Sequence, residues 1–226
     1  MKRLMMLGAL LSMTTFSFAD TDATADRLSM AGTALQEIMA APDKGIPEEV
    51  LDHAKCIAVV PHMVKGGFIF GAEGGRGVAT CRTPDGWSAP AFFAITGGSW
   101  GLQIGVEGVD LVMIVQSDKG MQRLLASKFQ IGADASAAAG PVGRHTSADT
   151  DWKMNAEILT YSRAKGVFAG LDLSGSAVRR DDDSMKTVYG PDASTRAVLS
   201  GAVPPTTAAQ PFLDAVKGAK REAASR

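Results

Sequence analysis

Three groups of residues in this chain have types and spacings associated with chemistry. The first is Gly97-Gly98-Ser99-Trp100-Gly101, a G-x-S-x-G run of the kind that forms a nucleophile elbow. Asp110 and His145 follow it in the order of a hydrolase triad. The elbow needs a strand before the serine and a helix after it, so that the hydroxyl stands clear at a sharp turn. After Trp100 the chain reads GLQIGVEGVDLVMIV, in which glycines give way to a β-branched run. That is a turn into another strand, and a serine hydrolase using Ser99 is kept only as an alternative.

The second group is Tyr161-Ser162-Arg163-Ala164-Lys165, the Y-x-x-x-K spacing by which a lysine activates a catalytic tyrosine in short-chain dehydrogenases. Those enzymes also need a glycine-rich dinucleotide turn, and no G-x-G-x-x-G or G-K-[ST] run occurs here. The plainer reading is a strand end followed by a basic turn. The third group is His53, Cys56, His62 and Cys81, a nominal Cys₂His₂ set. Its spacing is not that of a zinc finger, and a disulfide competes for the same thiols. Asp181-Asp182-Asp183 lacks the alternation of a calcium loop and reads as a helix start. The chain is therefore expected to be non-enzymatic, with no metal and no cofactor.

Basic residues offer a different chemistry. Lys65, Arg76 and Arg82 flank glycine-rich strands, and Lys128, Arg144, Arg163, Lys165, Arg179 and Arg180 flank later elements. Arginine forks and glycine-rich turns both suit phosphate. If these side chains converge, they make a surface for anionic headgroups, with Lys65, Arg144, Arg163 and Lys165 as the expected phosphate contacts. If they scatter, they are a solvated face.

Charge and address narrow the partners. Lys2 and Arg3, the apolar run Leu4 to Leu11 and the small residues Ser17 and Ala19 read as a signal peptide over residues 1–19. No cysteine follows the apolar run, so no lipid-attachment box is present. A periplasmic or secreted protein is expected. Removing the segment lowers Lys+Arg from 23 to 21 against 24 Asp+Glu, a net charge of −3. That balance argues against a nucleic-acid partner, which calls for a basic footprint. In an oxidising compartment Cys56 and Cys81 are expected to pair, tying the first strand to the third.

The elements that must carry these residues are legible in outline. Leu28, Ala31, Leu35, Ile38 and Met39 recur at helical spacing within Thr24 to Ala40. A short helix is expected over Pro47–Lys55. Between Gly66 and Gly105, short apolar runs are divided by glycines. Strands are expected at Ile57–Val60, Gly67–Ala72, Gly77–Arg82, Ser88–Ile95, Trp100–Val106 and Leu111–Val115. A helix over Asp118–Lys128 follows, then strands at Glu157–Ser162, Val167–Asp172 and Ser176–Arg180. Short helices at Asp181–Val188 and Ala193–Leu199 come next. The last element is an amphipathic helix, Ala208–Ala224, expected to offer Phe212, Leu213 and Val216 to acyl chains. This order predicts an α+β fold: a single domain with a curved, largely antiparallel, barrel-like sheet flanked by helices. The expected divisions are an N-terminal helix at 20–44, a core domain at 45–202, and a linker with the terminal helix at 203–226.

Several of these runs, taken together and in order, carry a resemblance. They are Lys65-Gly66-Gly67-Phe68-Ile69-Phe70-Gly71, Gly77-Val78-Ala79, Gly86-Trp87-Ser88-Ala89-Pro90-Ala91-Phe92, Gly97-Gly98-Ser99 and Gln103-Ile104-Gly105. Gly132-Ala133-Asp134-Ala135-Ser136, Ala139 to Arg144, Tyr161-Ser162, Gly166 to Gly170 and Tyr189-Gly190 continue the series. Over roughly residues 45–202 the chain resembles the SYLF domain family. Eukaryotic members are similar to phosphoinositide- and actin-binding modules, and bacterial members to exported envelope proteins. The resemblance implies non-catalytic binding of anionic phospholipid, and no actin binding for an exported chain. A structural or adhesion protein of the envelope, holding a protein partner through the same sheet, is the alternative.

Overall fold

Cys-Ile-Ala-Val-Val at the start of β1 (Cys56–Gly67) is a continuous apolar run, and Ile57 to Val60 are all buried. Such a run marks a strand covered on both faces. In the computed structural model, which describes residues 17–41, 45–67, 70–100, 105–141, 156–164, 167–168 and 173–225, β1 lies at the centre of the sheet. Its neighbours are β2 (Phe70–Thr83) and β5 (Gly105–Val115). Outward lie β4 (Ala91–Trp100), β10 (Ala177–Arg180) and β6 (Lys128–Gln130) on one side. On the other lie β8 (Ile158–Ala164) and β7 (Ala137–Ala139). The short β3 (Gly86–Trp87) and β9 (Val167–Phe168) pair with β2 and β8. All pairings are antiparallel except β7 with β8. The fold is α+β, a curled half-barrel sheet in one domain with flanking helices.

Six α-helices are described. They are α1 (Ser17–Met39), α2 (Glu48–His53), α3 (Asp118–Leu124), α4 (Asp182–Tyr189), α5 (Thr195–Leu199) and α6 (Gln210–Ala224). Ser117, Asp181 and Ser194 cap α3, α4 and α5 by accepting the backbone N–H of Gly120, Ser184 and Ala197. Among the described residues no helix is long and apolar enough to cross a membrane.

The glycine-rich stretch differs from its expected division. Gly67–Ala72 and Gly77–Arg82 were expected as two strands, yet β2 runs unbroken from Phe70 to Thr83. The intervening glycines serve packing rather than a turn. A Cβ on Gly75 would lie 2.6 Å from Val60 Cγ1, and one on Gly77 2.6 Å from the Phe93 ring. Glycine on β2 thus leaves room for large side chains of the adjoining strands. Trp100–Val106 is not one strand either: Trp100 closes β4, residues 101–104 lie outside the described residues, and Gly105 opens β5. The helix expected over Asp118–Lys128 ends at Leu124, and Lys128 begins β6. Of the expected signal segment 1–19, residues 1–16 lie outside the described residues, and residues 17–19 open α1.

Cys56 and Cys81 form the disulfide. Merging the two expected strands makes this a bond between immediate neighbours, β1 and β2, with Cys56 directly opposite Cys81. Arg82 N–H donates to Lys55 O, so the next pair along is a non-hydrogen-bonded one, where opposed residues come closest. The bridge closes 25 residues of chain. Its removal in a Cys56→Ala/Cys81→Ala variant is expected to cost roughly 3 kcal/mol. Thermal melts should show a fall of about 6–12 °C for a domain of this size. An unchanged melting temperature would contradict this estimate.

The terminal helix does not have the role expected from its pattern. Phe212, Leu213 and Val216 are buried in the core, and α6 packs along α1. A Cβ on Gly32 would lie 2.9 Å from Pro211 O, so glycine permits this close approach. The apolar side of α6 is consumed by the fold and is not free for acyl chains.

Candidate functional site

Residues directly opposite each other in a sheet place their side chains on the same face. The register therefore sorts the basic residues. Lys128 stands opposite Arg179, Arg179 opposite Ala94, and Ala94 opposite Arg76. On the far side of β1, Asp110 stands opposite Arg163. Between the two halves β1 carries a one-residue bulge: its pairing shifts between Val59 and Val64 against β2, and between Val60 and Met63 against β5. His62 sits in this bulge with φ 49°, and its backbone N–H donates to Asp110 Oδ1 at 2.9 Å. One row on one face thus carries Lys128, Arg179, Arg76, Asp110 and Arg163. Its path along the curled sheet is about 30 Å, from six strand spacings.

The neighbouring row on the same face is Phe92, Val78, Val59, Val112 and Tyr161, all buried. Helix α1 lies across it. Arg27 stacks its guanidinium 5.4 Å from the centre of the Phe92 ring, and Glu37 Oε2 accepts from Arg163 Nη1 at 2.7 Å. The cation row therefore borders α1. Its two halves differ: Arg163 is paired with Glu37, whereas Lys128, Arg179 and Arg76 are exposed and make no ion pair among the described residues.

Arg76 also lines a polar pocket of about 430 Å³ between α1, β2 and α4. Asp20, Ala23, Thr24 and Arg27 come from α1, and Asp183, Ser184, Lys186 and Thr187 from α4. Thr24, Arg27 and Ser184 are buried, so the deep part of the pocket is hydroxyl and guanidinium. Arg27 Nη1 donates to Asp181 Oδ2 at 2.8 Å and lies 3.3 Å from Ser184 Oγ. Burial pushes the Asp181 carboxyl up, but hydrogen bonds from Ser184 and Arg27 outweigh it and hold the group below the usual carboxylate value. The rim carries Arg76 and Lys186 beside Asp20 and Asp183. The lining thus has three cations and two acids, with Asp181 behind it holding Arg27.

The other expected residues separate from this site. Lys65 is on the opposite face, with Glu73 and Glu107 across from it in register. Glu73 is buried, its Oε1 accepts from Ser176 Oγ at 2.5 Å, and its Oε2 has no partner among the described residues. Arg82 is committed to structure: Nε and Nη2 donate to Ala54 O and Leu51 O at the end of α2, and the guanidinium lies over Trp87. Arg180 reaches Asp182 at 3.5 Å. Arg144 and Lys165 lie outside the described residues.

The family model described as Ysc84, Las17-binding protein actin regulator, matches residues 96–219, more than half of the chain. The chain belongs to the Ysc84 family. This is the SYLF family of the sequence resemblance. It is 35% identical over 165 residues to SH3 domain-containing YSC84-like protein 1 of Mus musculus, covering 72% of this chain and 48% of that protein. It is 35% identical over 177 residues to Protein YSC84 of Saccharomyces cerevisiae, covering 76% of this chain and 37% of that protein. LAS seventeen-binding protein 3 of the same yeast is 34% identical over 176 residues, 75% of this chain and 38% of its own length. The chain therefore spans half or less of the length of these curated relatives. Of these three, LAS seventeen-binding protein 3 is named for a binding partner.

Within this Ysc84 domain the catalytic patterns dissolve into structure. Ser99 is inside β4, opposite Gly71, and the next described element is the strand β5. Asp110 holds the β1 bulge, and His145 lies outside the described residues. Tyr161 is buried under α1 and burial pushes its phenol up, opposite to what an activating lysine would do. Both cysteines are in the disulfide. Arg27 and Lys186 were missed as site residues. Each looks like an ordinary helix-surface residue in sequence, and only the docking of α1 against α4 brings them beside Arg76.

Proposed function

We propose that this Ysc84 chain binds anionic phospholipid at a membrane surface, through headgroup phosphate and without chemistry on it. The observation that carries the reading is the gathering of Lys128, Arg179 and Arg76 in one exposed row that runs into a pocket with Arg27 and Lys186. Arginine and lysine with neighbouring hydroxyls suit a phosphate ester, and a groove of this size admits a small headgroup. Arg163 adds to the row where Glu37 leaves it partly neutralised. Arg144 and Lys165 join the reading from sequence alone, whereas Lys65, on the other face with Glu73 and Glu107 opposite it, does not. Cleavage after Ala19 would leave Thr24, Arg27 and Leu28 in place on α1, so the exported, periplasmic or secreted form keeps this site.

Co-sedimentation with phosphatidylserine-containing and pure phosphatidylcholine vesicles tests the reading. The chain should pellet with the anionic vesicles at low salt and be released as ionic strength rises. Equal binding to both, or none, would remove it. A second reading has a specific support, since LAS seventeen-binding protein 3 is named for a protein partner. An envelope protein held on the same face would appear as a stoichiometric complex without vesicle binding.

A further inference from the structure

The face that carries the cation row does not end there. Two residues further along each strand, the next row is Thr96, Gly74, Val64 and Gly108. Thr96 and Gly108 are exposed, and Val64 is 52% exposed. Val64 and Met30 are the large exposed hydrophobic residues among those described. Val64 stands between two glycines, so no neighbouring side chain on either strand shields it. In the row beyond, Gly98 and Ala72 are exposed and Gly66 is half-buried. Successive rows on this face are thus buried apolar under α1, cationic, and then, among the described side chains of β4, β2, β1 and β5, nearly bare, with Val64 and Thr96 the largest.

We propose that this bare end of the sheet enters the headgroup–acyl boundary of an anionic bilayer while Arg76, Arg179 and Lys128 lie at phosphate level. The inference rests on the lipid-binding reading and states which part of the chain enters. Charge complementarity selects the occupant: the apolar end is bordered by three cations without ion-pair partners among the described residues. Two residues of strand place the Val64 row about 7 Å beyond the cations. That is the depth, about 5–10 Å, to which interfacial elements bury their apolar face. Entry requires that backbone polar groups stay paired. On the inner strands they do: β2 and β1 keep both neighbours here, with Gly66 opposite Ala72, Gly67 opposite Gly71 and Gly105, and Gly71 opposite Ser99. The outer edges of β4 beyond Thr96 and of β5 before Val109 have no strand partner among the described residues, and they stay at headgroup level within reach of water. The approach is oblique, strand ends first. Helix α1 stays above the phosphate level.

A probe on Val64 tests this. Val64→Cys can be labelled selectively with an environment-sensitive fluorophore, because Cys56 and Cys81 are bonded to each other. Asp85→Cys, exposed in the turn after β2 at the other end of that strand, is the control. On phosphatidylserine–phosphatidylcholine vesicles the Val64 probe should shift to the blue and be quenched by nitroxides on the acyl chains, and the Asp85 probe should do neither. In unlabelled protein, Val64→Asp should weaken vesicle binding about tenfold, the worth of burying one valine, with its melting temperature unchanged. Vesicle binding with a water-exposed Val64 probe, or an unaffected Val64→Asp variant, would overturn the insertion and leave the lipid-binding reading intact. Absence of vesicle binding by the unsubstituted chain would overturn both.

Discussion

Arg27→Met is expected to destabilise the domain by about 3–5 kcal/mol, the cost of stranding one partner of a buried ion pair. Arg27 and Asp181 bury their side chains to 8% and 10% exposure and meet at 2.8 Å. The pair joins α1 to the first turn of α4, and Arg27 also covers the Phe92 ring. Methionine keeps most of the stem and the ring contact but removes the charge, leaving the Asp181 carboxylate buried with only Ser184 as donor. The charge, not the packing, is the cause, so adding Asp181→Asn should recover a large part of the loss, since asparagine still caps a helix. Denaturant unfolding of the two single variants and the double variant reads this directly.

The pH dependence has a definite sign. In the folded protein the Asp181 carboxyl lies below its ordinary value of 3.8. A depressed carboxyl contributes stability that is fully present above the unfolded value and lost as pH falls through the folded one. The parent chain should therefore show no change from this pair between neutral pH and pH 5. In Arg27→Met, burial dominates and the Asp181 carboxyl moves up, so acidification neutralises the stranded charge. The stability gap between variant and parent should narrow as pH approaches 4. A gap independent of pH would place the loss in packing instead.

Removing three charges from the sheet should act on binding and leave the fold alone. Each cation near an anionic surface contributes about 1 kcal/mol. Lys128→Gln, Arg76→Gln and Arg179→Gln together should therefore weaken vesicle affinity by about 3 kcal/mol, on the order of 100-fold. All three side chains are exposed, so the melting temperature should barely move. Arg82→Gln is the matched contrast. Its guanidinium holds the end of α2 and lies over Trp87, so its loss should lower stability and leave vesicle affinity unchanged.

The sequence carried the fold further than it carried the site. Apolar runs beginning at Cys56, Ala91 and Leu111 mark β1, β4 and β5 because a strand buried on both faces leaves that trace. The paired cysteines were legible from their types and expected compartment. Gly75 misled, because a glycine that makes room for Val60 and Met63 looks the same in sequence as one that turns the chain. The terminal helix was legible as amphipathic, but amphipathicity does not say what covers the apolar side, and here α1 does. Among the basic residues, Arg76, Lys128 and Arg163 share a row that depends on strand register, which adjacent sequence does not encode. Arg82 was indistinguishable from them until Leu51 and Ala54 were seen to take its hydrogens. Arg27 and Lys186 could be found only through the docking of α1 on α4.

The central claim is that the exposed cations of one sheet face hold an anionic bilayer. It is tested most directly by co-sedimentation of the parent chain and the Lys128→Gln/Arg76→Gln/Arg179→Gln variant with phosphatidylserine-containing vesicles at low salt. The account predicts strong pelleting of the parent and loss of most of it in the variant, with both proteins folded. Equal pelleting of the two would contradict it.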